Sequence, residues 1–180
     1  GMIFFIDFSA SMYHQFYDML EHTLNLVHFC KKVGIPFRVL SFTSSRDTSI
    51  PDTSDIMYHI ADTVIIEHFS SEMPKNIYEM AYNRFCMGIA EKFKSKPTMI
   101  GNTYIGKLGT PIEYMSGTPL QTTLLVAHAI VDDFRKKHSV QKLNTIFLSD
   151  GDSAPTRLAN TSHWPSWDSF DYINVKNKTY

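Results

Sequence analysis

An unbroken apolar run, Ile3-Phe4-Phe5-Ile6, ends in Asp7 and is followed at alternate positions by Ser9 and Ser11. A run this short and this apolar reads as a strand buried on both faces, the pattern of parallel sheets. From about 12–32 the pattern turns helical. Phe16, Leu20, Leu24 and Val27 share one face there, and Lys31-Lys32 suit the negative end of the helix dipole. Gly34 and Pro36 stop the helix. A second strand follows at 37–42 and runs into a polar loop at 43–54.

The next stretch predicts a third strand at 64–66, with a short helix before it at 56–61. A helix starts near Pro74, a residue suited to a first turn, and runs to 93 with Ile77, Ala81, Phe85 and Ile89 on one face. Glycines and Pro111 then punctuate 94–117, a loop with room for a short hairpin. Thr118-Pro119 opens the best-defined helix, Thr118 as its N-cap and Pro119 as its first residue. Its stripe is Leu120, Leu124, Ala127, Val131 and Phe134, and it closes on Arg135-Lys136-Lys137-His138. A buried strand at 144–149 leads into Asp150-Gly151-Asp152, and 172–175 reads as a last short strand.

Strand and helix alternate, so the class is α/β with a mostly parallel sheet. We read 2–180 as one domain, with 151–180 its least defined part and Gly1 as the remnant of a cleaved tag. Composition changes this picture little. The chain is 43% hydrophobic with a formal net charge of -1, enough for one core and no basic excess to attract nucleic acid or an anionic membrane. No run approaches the roughly 20 apolar residues that span a bilayer, and none looks like a signal peptide. Cys30 and Cys86, both in helical patterns, read as reduced thiols of a cytoplasmic protein.

The chemistry lies where strands end. Asp7 and Asp150 each follow an apolar strand, and if those strands are neighbours their loops share one crevice, the usual ligand edge of an open α/β sheet. Ser9 and Ser11 add hydroxyls from the first loop and Thr118 from the long helix. Oxygen ligands of this kind suit a hard cation such as Mg²⁺. The alternative is that the serines cap the first helix and the aspartates cap turns, which would not require three distant segments to supply the same chemistry.

Asp7-x-Ser9-x-Ser11, Thr118 within Ser-Gly-Thr-Pro-Leu, and Asp150-Gly151 after an apolar strand together resemble the metal-ion-dependent adhesion site of von Willebrand factor A domains. The order and context match over nearly the whole length. SFTSS, GTPL and IFLSDGD make the chain most similar to bacterial and phage intracellular members, including the A domain of cobalt and magnesium chelatase subunits. The resemblance implies a Rossmann-like, doubly wound sheet with helices on both faces. It also implies Mg²⁺ or Mn²⁺ held directly by Ser9, Ser11 and Thr118, with Asp7 and Asp150 acting directly or through water. Ala10 stands where the family usually has glycine. Only 30 residues follow Asp150, so a C-terminally truncated domain is expected.

The first functional reading is therefore a binding module that grips an Asp or Glu of a partner protein through the ion. The second is a chelatase-like subunit serving a separate AAA+ ATPase, since no Walker motif is present. A metal-dependent hydrolase ranks last, because there is no nucleophile elbow and no histidine placed as base. Trp164 and Trp167 follow the Asp150 loop; exposed, they would anchor a partner, and buried, they would pack on the domain.

Overall fold

A computed structural model of the chain describes residues 1–44, 57–60, 63–90, 99–100, 103–104, 117–151, 153, 174–175 and 178–179. The first apolar run forms β1 (Met2–Asp7), in which Ile3 through Asp7 are all buried. It is the fourth strand of a five-stranded sheet, lying between β2 (Phe37–Ser44) and β7 (Asn144–Leu148), both parallel to it. Beyond β2 come β4 (Thr63–Ser70) and then β3 (Met57–Ile60), each antiparallel to its neighbour. Two separate short hairpins pair β5 (Met99–Ile100) with β6 (Thr103–Tyr104), and β8 (Asn174–Val175) with β9 (Lys178–Thr179).

Two sequence expectations are corrected here. The sheet is mixed, with two parallel and two antiparallel pairings, and is not mostly parallel. Residues 57–60 are a strand and not a short helix, because the β-forming run of β4, only two residues further along the chain, supplies an antiparallel partner. The hairpin anticipated within 94–117 is present as β5 and β6.

Helices cover both faces. A short 3-10 helix, Ala10–His14, precedes α1 (Phe16–Val33), so the α-helical part starts later than the pattern suggested. The C-cap of α1 is Gly34, at φ 70, a left-handed conformation that glycine adopts without a Cβ penalty. Phe16, Leu20, Leu24 and Val27 pack with α2 (Lys75–Ala90) over Phe4, Ile6, Phe8, Val39 and Phe69. On the opposite face α3 (Leu120–His138) packs Val126, Ala127, Ile130 and Phe134 over Ile3, Phe5, Leu40, Phe42 and Ile65. Successive residues of β1 thus alternate between two cores, which is why no polar residue interrupts it.

The helical stripes were only partly legible. Ile77 of α2 and Leu124 of α3 are 43% and 49% exposed, and their places in the core fall to Tyr78 and to Thr123 with Val126. Strand β7 is exposed at Asn144 and Thr145 and half-buried from Ile146 to Leu148. It lies at the end of the sheet, so its second edge has no strand beside it among the described residues, and the full burial expected of it is not found. Among the described residues no helix is long and apolar enough to cross a membrane.

One polar pair is sealed inside the first core. His68 of β4, 5% exposed, lies 2.7 Å through Nε2 from Ser41 Oγ and is flanked by the rings of Phe8 and Phe85. Burial, aided by the charge of Arg84, lowers its pKa to about 3. The folded protein therefore holds this ring neutral while the unfolded chain protonates it below about pH 6.5. Stability is expected to fall as pH drops from 6.5 towards 3, by up to ~1.4 kcal/mol per pH unit from this group. His68→Gln should flatten that slope in urea melts run between pH 4 and 7; an unchanged slope would show that other groups set it.

Candidate metal centre

Asp7 closes β1 at the carboxyl end of the parallel strands, and its side chain is wholly buried. The backbone N–H of Ser9 donates to Asp7 Oδ1 at 2.9 Å, a turn that aspartate side chains commonly make with the residue two positions on. Ser149, the residue after β7, donates its hydroxyl to Asp7 Oδ2 at 2.6 Å. The N–H of Gly151 donates in turn to Ser149 Oγ at 3.1 Å, closing the bend that carries Asp150. Side-chain hydrogen bonds therefore fasten the end of β7 to the end of β1.

Burial pushes the Asp7 carboxyl above its ordinary pKa. The hydrogen bonds from Ser149 and Ser9 act against that rise, and the negative charge of Asp150 adds to it. Asp150 is exposed. Two carboxylates acting on each other at one sheet edge form a site of negative potential, which a cation would relieve.

Ser9 occupies the N-cap position of the 3-10 helix, yet its side chain makes no capping bond. Its Oγ lies 3.0 Å from Ser11 Oγ instead. Ser9 is buried and Ser11 exposed, so the pair forms a rim with one open side. The capping alternative raised from the sequence thus fails for Ser9, although the Asp7 turn is real.

Thr118 reaches this end of the sheet by another route. Gly117 donates its N–H to Ser44 Oγ at 2.8 Å, and the N–H of Ser44 donates to Gly117 O at 3.1 Å. These two bonds pin the segment ahead of α3 to the carboxyl end of β2, the strand beside β1. Thr118 itself is 7% exposed. The N-cap of α3 is Pro119, without a side-chain cap, and the helix starts at Leu120. Both capping roles expected from the sequence are corrected by one residue. Proline lacks an N–H to give and no side-chain cap forms, while the N–H and hydroxyl of Thr123 both bond to Pro119 O. The Thr118 hydroxyl is consequently not committed to the helix end.

Asp7, Ser9, Ser11 and Asp150 are thus joined at the ends of β1 and β7, and Thr118 is held at the same edge on the β2 side. Trp164 and Trp167 lie outside the described residues. Three residues went unread in the sequence: Ser149, Ser44 and Gly117. The signal for Ser149 was present, since a hydroxyl directly before an aspartate at a strand end is well placed to reach across to the neighbouring strand. For Gly117 the reason is structural and not written in the sequence: a Cβ there would lie 2.8 Å from Ser44 Oγ. Gly117→Ala should therefore cost roughly 1–3 kcal/mol, the usual scale of overpacking. Combining it with Ser44→Ala should recover part of the loss. Thermal melts of the three variants test this, and a single variant that melts like wild type would refute the close approach.

Comparison with protein-family models, curated proteins and solved structures finds no match for this chain.

The donor set must accordingly be judged on its own chemistry. Adjacent ligands of an octahedral Mg²⁺ at ~2.1 Å lie ~3 Å apart. Ser9 Oγ and Ser11 Oγ are hydrogen-bonded at 3.0 Å, a span that such an edge would also accommodate. Buried Asp7 supplies negative charge, and every donor is a hard oxygen. Among the described residues no group of three or more His, Cys, Asp and Glu side chains is placed to hold a metal.

Proposed function

We propose that this protein is a divalent-cation-dependent binding module that grips an acidic side chain of a partner protein. Mg²⁺, or Mn²⁺ in its place, would be held by Ser9, Ser11 and Thr118, with Asp7 and Asp150 completing the site. The observation that carries the reading is the 3.0 Å separation of the Ser9 and Ser11 hydroxyls beside a buried aspartate. Neutral hydroxyls leave much of the ion's charge uncompensated. A position facing solvent then attracts an anionic oxygen, and a partner's Asp or Glu supplies one with direction and strength.

The fold reading that accompanies this function is a Rossmann-like, doubly wound domain of the von Willebrand factor A type, working in the cytoplasm of a bacterial or phage-infected cell. Support comes from the way the chain leaves β1 on one side through α1 and returns on its other side through α3. Such a reversal beside β1 is the kind of switch point at which open α/β sheets bind ligands, and Asp7 and Asp150 follow the strands on either side of it.

Two measurements test the reading. Millimolar Mg²⁺ should raise the melting temperature through mass action on the native state, about 2.7 kcal/mol when the ion is at 100 times its Kd. Asp150→Asn should reduce that response while easing the repulsion of Asp7 in chelator. Peptides bearing a single Glu should be retained on immobilised protein in Mg²⁺ and released by EDTA. A melting temperature indifferent to Mg²⁺ and Mn²⁺ would end the proposal.

A further inference from the structure

Ser149 is not one of the five candidate ligands, yet its hydroxyl links Asp7 to the turn that carries Asp150. It donates to Asp7 Oδ2 at 2.6 Å and accepts from Gly151 N–H at 3.1 Å. The first bond fixes the rotation of the Asp7 carboxyl, whose other oxygen is already held by Ser9 N–H at 2.9 Å. The second closes the bend on which Asp150 rides, where Gly151 sits at φ 86. Asp7 is last in β1 and Ser149 follows β7, so the bond also sets how the ends of the two parallel strands meet.

From this geometry we infer that Ser149 is a positioning residue for the cation. It aims the Asp7 carboxylate and the Asp150 turn at one point without ligating the ion. The inference rests on the metal site proposed above. With a hydrogen bond on each oxygen, Asp7 is oriented as an acceptor for the ion's own waters more readily than as a two-oxygen chelator. Carboxylates and hydroxyls that orient a metal site from behind typically contribute 10–100-fold in affinity. A side chain that merely packs would contribute nothing selective to ion binding.

The test is calorimetric titration of Mg²⁺, and of Mn²⁺ followed by electron paramagnetic resonance, into wild type, Ser149→Ala and Ser149→Thr. Circular dichroism in EDTA on the same samples checks the fold. Ser149→Ala should weaken both ions by about 10–100-fold. Ser149→Thr keeps the hydroxyl and should bind within a few-fold of wild type, and this rescue separates positioning from packing. Wild-type affinity in Ser149→Ala, or equal weakening in the threonine variant, overturns the role of Ser149 while leaving the site intact. Wild type that binds neither ion overturns the site and this inference with it.

Discussion

Asp7→Asn is expected to abolish the Mg²⁺ response and yet leave the ion-free protein at least as stable as wild type. Asparagine has nearly the shape of aspartate and can keep both contacts. Its carbonyl accepts from Ser9 N–H in place of Oδ1, and its amide donates to Ser149 Oγ once that hydroxyl turns. What disappears is the charge. Burial and Asp150 both oppose ionisation of Asp7, so the ionised group weighs against the ion-free fold. The sign with pH follows. A carboxyl whose folded pKa is raised loses stability as pH climbs from its ordinary value of 3.8 through the raised one, and keeps that loss above it. The asparagine variant lacks this term, and its ion-free melting temperature at pH 7 should match or exceed that of wild type. In Mg²⁺ the order reverses, because the charge that cost stability now attracts the ion. Melts in EDTA and in Mg²⁺ give both numbers, and a variant destabilised in EDTA would mean that Asp7 is structural alone.

The proposed opposition between ion-free stability and ion binding also bears on what was legible in the sequence. An aspartate at the end of four buried apolar residues conflicts with its surroundings, and conflicts of that kind concentrate at functional sites. Asp7, Ser9, Ser11 and Asp150 could be located because each lies within a few residues of a strand whose burial pattern is strong. Thr118 was located by its neighbourhood, but its capping role was misread. Thr-Pro is a common way to open a helix, and only the backbone shows that the cap belongs to Pro119. The reversed strand β4 escaped notice because direction is not written in an apolar run; two residues between Ile60 and Thr63 leave room only for an antiparallel return from β3. Ile77 and Leu124 were misplaced for a similar reason. A helix offers two adjacent apolar stripes, and the sheet it lands on decides which is buried.

Thr118→Ala is the second variant with a large expected effect: loss of Mg²⁺-dependent peptide retention with the fold preserved. Had Thr118 capped α3, its removal would have cost ~1 kcal/mol in helix stability as well. Since Pro119 occupies the cap position, that cost does not arise, and only a buried methyl and hydroxyl are lost. Against a total stability of roughly 5–15 kcal/mol the domain stays folded. The segment is also held from outside the side chain, by the two backbone bonds of Gly117 with Ser44, so the alanine backbone should keep its place. For the ion the loss is different in kind. In the proposed site Ser9 and Ser11 would supply one edge of its shell from the β1 side and Thr118 would approach from the β2 side, so without it the ligands would come from one side only. In the proposed function a partner's carboxylate would depend on that charge being fixed in position, and its binding should fall with it. Peptide retention and circular dichroism measured on one sample decide the matter: folded Thr118→Ala that still holds its peptide until EDTA is added would remove Thr118 from the site.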